Sequence, residues 1–143
     1  MPTFRILSIP KDCYDSMLAQ ALAELPAECC GFLSGVIEGD VGLVTRWYPL
    51  VNELDSPTEY FAEVRSLIAA HKDMRQRGID VLATFHSHPT TEPVPSQRDL
   101  AANYSEETVN LIVSLMGGLP SVKAWWLTAT EYSEAKFEVR RGQ

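Results

Sequence analysis

The spacing of apolar residues along the chain predicts helices at three places. In the first, apolar side chains recur every three or four residues from Tyr14 onward, and Pro26 ends the pattern because proline cannot continue a helix. In the second, the same spacing stops at Gly78, a residue type that tolerates the left-handed conformation at a helix C-terminus. The third is short and follows several prolines. The predicted helices are Tyr14 to Leu25, Phe61 to Arg77 and Ser96 to Tyr104.

Short apolar or alternating runs between these helices predict the strands of a sheet. The predicted strands are Phe4 to Ile9, Cys29 to Leu33, Gly42 to Leu50, Asp80 to His88, Val109 to Leu115, Val122 to Leu127 and Ala135 to Arg140. Because strands and helices are mixed along the chain, we predict an α+β or mixed-sheet α/β fold with helices packed on the sheet. No repeat, low-complexity tract or linker divides the sequence, so residues 1–143 are predicted to form a single domain.

Composition and charge exclude several classes of function. A chain of 143 residues suits one domain, and its hydrophobic share of 45% is normal for a globular protein. The net charge of -7, without a Lys/Arg stripe, argues against a nucleic-acid-binding protein. Three cysteines, with Cys29 and Cys30 adjacent, do not make a disulfide framework. With no signal-peptide pattern and no apolar run of membrane-spanning length, we expect a cytoplasmic protein with no membrane partner.

The chemistry of the chain is concentrated in residues 85–99, FHSHPTTEPVPSQRD. Side chains two residues apart on a strand project to the same face, so His86 and His88 are expected to point together and Ser87 away from them. Two neutral imidazoles on one face can hold a divalent metal, and zinc is the favoured ion for this kind of ligand set. Asp99 is the nearest candidate for a third ligand. Three protein ligands and one water are typical of a catalytic zinc site.

The spacing of Ser96 and Asp99 also has a purely structural explanation. A serine at the N-cap and an acid in the first turn are common at helix starts. The two interpretations are compatible, because a helix start can fix a carboxylate that a metal also binds. The loop before this helix contains Pro89, Pro93 and Pro95, and a stiff loop loses less entropy when it holds one shape. Such a loop can return Asp99 to the histidines.

A hydrolytic zinc site also needs a base for its water, whose pKa the metal lowers to about 7. Physical reasoning alone does not choose among the upstream carboxylates of the chain. These are Glu24, Glu28, Glu38 and Glu53. Position favours Glu28, which stands where a predicted helix gives way to a buried strand.

At these residues the sequence resembles the JAMM (MPN-plus) metalloprotease family. HSH, seven further residues and SQRD match the family signature H-[ST]-H-x7-S-x-x-D, and ECCGFLSG at residues 28–35 is similar to its E-x-C-G-x-L-x-G segment. The resemblance implies His86, His88 and Asp99 as zinc ligands, with one zinc ion per chain. It implies Glu28 as the general base and Ser96 as a hydrogen-bond donor to the developing oxyanion. The implied fold is the JAMM/MPN-like (cytidine-deaminase-like) mixed sheet flanked by helices.

The resemblance also implies a class of substrate. Members of this family cut the peptide or isopeptide bond after the C-terminal Gly-Gly of ubiquitin or ubiquitin-like proteins. Compact stand-alone members, mostly prokaryotic, act on small β-grasp proteins that include sulfur carriers, and the group released is a protein lysine or a small amine such as cysteine. The short stretch between Glu28 and His86 leaves little room for the inserted segments of polyubiquitin-specific relatives. Pro93 replaces a residue that is more often small in relatives, which bears on substrate preference.

Two other functions are weighed against this one. Some relatives have lost metal ligands and serve as structural scaffold subunits, although this chain keeps every ligand. A cysteine hydrolase that uses Cys30 with His86 is the second alternative, and it gives no role to His88, whereas a metal uses both rings. His71 is expected to be a partly buried histidine of the second helix, Arg98 a solvated surface residue, and the three tryptophans packing residues.

Overall fold

The computed structural model describes residues 3–141. Within this range the chain forms eight strands and three helices. In chain order they are β1 (Ile6–Pro10), α1 (Lys11–Ala23), β2 (Cys30–Glu38), β3 (Val41–Leu50), α2 (Val64–Arg77), β4 (Asp80–His88), α3 (Gln97–Ala101), β5 (Val109–Ser114), β6 (Ser121–Leu127), β7 (Tyr132–Glu134) and β8 (Lys136–Arg140). No helix in this range has the length and apolar character needed to cross a membrane.

The strands form one mixed sheet in the order β7-β6-β5-β4-β2-β3-β1-β8. β4 lies in the interior of the sheet, antiparallel to β2 and parallel to β5. It is buried from Leu82 to His88, because a strand flanks it on each side and helices cover the sheet. A polar group on this part of β4 therefore has to find its partners inside the protein.

Helices cover both faces of the sheet because successive strand residues point to opposite sides. One core packs α1 against the sheet and includes Met17 and Phe85. The opposite core packs α2 against the sheet and includes Met74 and Phe32. α3 packs through Leu100 on a third, smaller cluster over β5 and β6.

Most of the predicted elements are confirmed. β4 has the predicted bounds, and the other predicted elements differ from theirs by a few residues at one or both ends, where helices and strands are least sharply defined. The largest difference is in β2, which continues past Leu33 to Glu38 because its second half pairs with β3 as far as the turn at Gly39. The prediction missed β7, because its three residues are all exposed and lack an apolar pattern.

The third predicted helix is shorter than expected. α3 ends at Ala101 rather than Tyr104. Asn103 instead donates a hydrogen bond of 3.0 Å from its side chain to the Leu127 carbonyl and accepts one of 3.0 Å from Asn110. These contacts attach the end of α3 to β5 and β6, which holds the helix in place over the sheet.

Candidate metal centre and active site

His86, His88 and Asp99 meet at the buried end of β4. The Nε2 atoms of the two histidines lie 3.2 Å apart. Each also lies 3.2 Å from an Asp99 carboxylate oxygen, His86 from Oδ1 and His88 from Oδ2. All three side chains are buried. The structure thus brings together the three residues that the sequence indicated as metal ligands.

The spacing of these donor atoms suits a small divalent metal. At zinc–ligand distances of about 2.0–2.1 Å in a tetrahedral site, neighbouring ligand atoms lie about 3.3 Å apart, which is close to the observed 3.2 Å. Two imidazoles and a carboxylate leave one tetrahedral position open, as catalytic sites require. The residues present therefore fit a tetrahedral metal ion.

Strand alternation sets the direction of the two histidines. His86 and His88 lie on the face of β4 that carries α2, and Ser87 points to the opposite face. There Ser87 Oγ accepts a hydrogen bond of 2.8 Å from the Cys29 N–H, and the Ser87 N–H donates to the Cys29 carbonyl at 3.2 Å. These two bonds tie the strand that carries the histidines to the residue that follows Glu28.

Asp99 is held at the start of α3 by a capping box. The Asp99 N–H donates to Ser96 Oγ at 3.1 Å, and the Ser96 N–H donates to Asp99 Oδ2 at 2.9 Å. The helix-capping interpretation of this pair is therefore confirmed. The same arrangement directs the Asp99 carboxylate at both histidines, so the two interpretations coexist.

The proline-rich loop between β4 and α3 is anchored through its carbonyl groups. Trp125 Nε1 donates to the Pro93 carbonyl at 2.9 Å, and Ser114 Oγ donates to the Thr91 carbonyl. Trp125 thus has a second function besides the packing expected from the sequence. His88 Nδ1 lies 2.9 Å from the Glu92 carbonyl. Because a carbonyl only accepts, neutral His88 keeps its proton on Nδ1 and presents an unprotonated Nε2 to the site.

Contacts among the side chains of the site shift the pKa values of Asp99 and His88. Burial opposes ionisation of Asp99, but hydrogen bonds from His86 and His88 outweigh it and hold the pKa of this carboxyl well below its usual range. Burial alone lowers the pKa of His88, whereas the hydrogen bonds to Asp99 and the Glu92 carbonyl reverse this effect and raise it. A proton and a metal cation therefore compete for the same donor atoms.

Tyr60 is a site residue that the sequence analysis missed. Its ring stacks on His86, with ring centroids 4.9 Å apart and an interplanar angle of 25°. Within residues 3–141, His86 Nδ1 has no hydrogen-bond partner, so the orientation of this imidazole is fixed by packing against Tyr60 together with the contacts of its Nε2. Burial raises the pKa of Tyr60 and keeps its hydroxyl neutral. Tyr60 follows a polar turn-forming run, NELDSPTE, and no periodic pattern marked it out.

Glu28 lies just before β2 and is the buried acid of the site. Its side chain is only 5% exposed. Burial raises the pKa of Glu28 to about 7, while the charge of His88 lowers it and that of Asp99 raises it. A carboxyl group that titrates near neutral pH can both accept and return a proton during a reaction.

Other candidate residues fall outside the site. Cys30 is buried in the core under α2, and burial raises the pKa of its thiol to about 12, so it is not a reactive nucleophile. His71 is partly buried, as expected, and packs edge-on against Phe32 at 5.4 Å rather than near the histidine pair. Arg98 is exposed but not merely solvated, since it forms an ion pair of 3.1 Å with Glu59.

The comparison with known families agrees with this geometry. A family model described as prokaryotic homologs of the JAB domain matches residues 10–128, which include the whole site. The chain belongs to this family. This JAB-family chain is 32% identical to a desampylase of Pyrococcus furiosus over 138 residues, which cover 96% of the chain and 93% of the relative. It is 35% identical to a probable TtuB-protein conjugate cleaving protease of Thermus thermophilus over 96 residues, covering 66% of the chain and 62% of the relative.

A solved structure supports the same assignment. The solution structure of a protein from Desulfitobacterium hafniense superimposes on the chain with a TM-score of 0.85 and 34% identity, covering 95% of the chain and 94% of that protein. The predicted fold class, a mixed sheet flanked by helices as in JAMM proteins, is therefore confirmed. Family and relatives make this JAB-family chain an enzyme, a protease of the JAMM type.

Proposed function

We propose that the chain is a zinc-dependent hydrolase that cleaves the peptide or isopeptide bond after the C-terminal Gly-Gly of a ubiquitin-like or sulfur-carrier protein. The observation that carries this proposal is the convergence of His86, His88 and Asp99: the two Nε2 atoms lie 3.2 Å apart, and each lies 3.2 Å from one of the two Asp99 carboxylate oxygens. Buried Glu28 is close enough for the charges of His88 and Asp99 to affect its pKa. The relative from Thermus thermophilus, named as a probable protease that cleaves TtuB–protein conjugates, supports the substrate class.

Zinc is the metal proposed for this site, with one ion per chain. His86 and His88 supply the imidazole nitrogens and Asp99 the carboxylate oxygen, a set that zinc binds with a fourth position open for water. When bound, the ion supplies a Lewis acid for the scissile carbonyl and lowers the pKa of water at the open position. The buried surroundings strengthen these effects, because electrostatic interactions weaken less in a low-dielectric interior than in water.

Glu28 is proposed as the general base. Its ionised carboxylate takes the proton from the attacking water and returns it to the leaving amine, a sequence that needs a group able to hold the proton briefly. Burial has already placed the pKa of Glu28 at about 7 in the metal-free protein. A cation beside it lowers that pKa and favours the ionised form that acts as a base.

Ser96 is proposed to stabilise the oxyanion that forms on the scissile carbonyl. Its Oγ accepts a hydrogen bond from the Asp99 N–H at 3.1 Å, which uses an oxygen lone pair and leaves the hydroxyl proton free to donate. The capping box holds this hydroxyl in place before substrate arrives. A donor that is already oriented contributes most as negative charge develops.

The surroundings of the site suit a protein substrate. An apolar groove of about 350 Å³ runs beside it, with β2 and β4 as its floor and Tyr60, Phe61 and Tyr104 among its walls. The groove has room for the extended residues that precede the two glycines. Next to the groove, Val64 and Ile68 on one side of α2 and Phe61 just before this helix are all more than half exposed, and they offer a surface for the body of the carrier.

Metal loading and product analysis test this function together. The purified protein is incubated with carrier adducts that end in Gly-Gly, linked either to a protein lysine or to cysteine, and the released groups are identified by mass spectrometry. We expect about one zinc per chain, release that stops with a chelator, and inactive Glu28→Gln protein that retains its zinc. Activity that survives chelation but is lost with iodoacetamide overturns the proposal in favour of a thiol enzyme. Zinc binding without cleavage of any adduct supports the scaffold alternative instead.

A further inference from the structure

The segment from Asn52 to Phe61 connects β3 to α2 and borders the site on one side. We call these residues the 52–61 segment. Its Ser56 carbonyl accepts a hydrogen bond of 2.7 Å from the Glu28 N–H. Its Tyr60 ring stacks on His86. The 52–61 segment therefore contacts both Glu28, just before β2, and His86, in β4.

One side chain determines the shape of this segment. Asn52 Oδ1 accepts hydrogen bonds from the N–H groups of Leu54 at 3.1 Å and Phe61 at 3.0 Å. Asn52 Nδ2 donates to the carbonyls of Glu28 at 3.0 Å and Glu59 at 3.1 Å. An asparagine amide can donate two hydrogen bonds and accept two, and these four bonds use that whole capacity. Asn52 therefore links both ends of the segment to Glu28.

The backbone around Glu28 is fixed from two directions as a result. Its N–H and C=O are bound by Ser56 and Asn52 of the 52–61 segment. The next N–H, that of Cys29, is bound by Ser87 of β4. With the peptide groups on both sides of Glu28 held in this way, the backbone fixes the direction in which its side chain leaves the chain, the Cα–Cβ bond.

We propose that Asn52 is a positioning residue for Glu28: by closing the 52–61 segment and holding the Glu28 carbonyl, it keeps this carboxyl aimed at the reacting water. The inference rests on the proposed role of Glu28 as the general base. All four side-chain hydrogen bonds of Asn52 go to backbone groups, so it acts through the backbone of Glu28 and of the 52–61 segment. Small displacements of a catalytic group reduce rates strongly, by about a hundredfold for a shift of 1 Å.

The Asn52→Asp variant separates positioning from simple loop folding. Aspartate still accepts from Leu54 and Phe61, but it has no N–H to donate to the Glu28 carbonyl, and its second oxygen repels that carbonyl. We expect kcat on a Gly-Gly adduct to fall roughly tenfold to a hundredfold, with KM changed less than about twofold and zinc content unchanged. In the metal-free protein, hydrogen exchange of the Glu28 amide is expected to be faster than in wild type.

Two further variants complete the experiment. Asn52→Ala removes all four bonds and is expected to lower kcat at least as far as Asn52→Asp. Thr58→Ala removes an exposed hydroxyl of the same segment, which lies 3.4 Å from Ser56 Oγ, and is expected to behave as wild type. The proposal is overturned if Asn52→Asp keeps wild-type kcat, or if its loss of activity follows zinc content. If the wild type cleaves no adduct, the proposed function fails. Separately, if hydrogen exchange of the Glu28 amide is the same in Asn52→Asp as in wild type, Asn52 does not hold the backbone at Glu28.

Discussion

Replacing Glu28 with glutamine is expected to stabilise the metal-free protein while it abolishes activity. The pKa of Glu28 is raised from 4.5 to about 7 by burial, and each pKa unit corresponds to about 1.4 kcal/mol. Because the folded state favours the neutral acid, its contribution to stability is complete below the unfolded pKa and is lost as the pH rises through about 7. Relative to an uncharged side chain, the raised pKa of Glu28 therefore lowers the free energy of unfolding by on the order of 3 kcal/mol at about pH 8, and by roughly 1 kcal/mol at about pH 5. Glutamine avoids this cost because it carries no charge.

Urea denaturation of chelator-treated protein measures this difference. We expect the free energy of unfolding of Glu28→Gln to exceed that of wild type by a margin that grows from about pH 5 to about pH 8, with an unchanged m-value. Glu38→Gln, which alters an exposed carboxylate of β2, serves as the control and is expected to shift stability by less than about 0.5 kcal/mol. If Glu28→Gln has the same free energy of unfolding as wild type at both pH values, burial of the Glu28 carboxyl does not destabilise the folded protein. The expected loss of kcat is about 10²- to 10⁴-fold.

Three further substitutions test other parts of the structure. Ser87→Ala deprives the buried Cys29 N–H of its 2.8 Å partner and is expected to destabilise the protein by about 1–3 kcal/mol, seen as a lower melting temperature; an unchanged melting temperature would contradict this. Gly31→Ala places a Cβ against both the Phe85 ring and the backbone carbonyl of Tyr48 and is expected to cost about 1–3 kcal/mol or more in urea denaturation, whereas full stability would show that the ring and the neighbouring strand can both adjust. Ile68→Asp is expected to raise KM for a carrier adduct by roughly tenfold while kcat on a short Gly-Gly peptide stays unchanged. The control is Leu119→Asp, which changes an exposed residue of the turn between β5 and β6. Equal KM values for Ile68→Asp and Leu119→Asp would exclude α2 as a docking surface.

The parts of the site that depend on short-range geometry could be predicted from the sequence. Strand alternation alone placed His86 and His88 on one face, and the spacing of Ser96 and Asp99 indicated a capped helix start. The match to the JAMM signature then indicated that these two pieces meet. The same regularities explain why β4 was predicted with its observed bounds, since a long apolar run between a helix-ending glycine and a proline leaves little ambiguity.

The parts that depend on long-range contacts could not be predicted in this way. Neither the hydrogen bond from Cys29 to Ser87 nor the stacking of Tyr60 on His86 has a local pattern, because the partners lie far apart in the chain. Asn52 was hidden in a polar turn-forming run where an asparagine is ordinary. α3 was predicted too long because apolar spacing continues to Tyr104, whereas contacts of the chain after the helix with β5 and β6 end it earlier.

The capping box at the start of α3 bears on the order in which the chain folds and acquires its metal. Its hydrogen bonds orient the Asp99 carboxylate through the fold alone, and the rest of the chain packs around a complete core. Small zinc domains, in contrast, remain unfolded until they capture their ion. We therefore expect this chain to fold first and to bind the proposed zinc ion in a separate, later step.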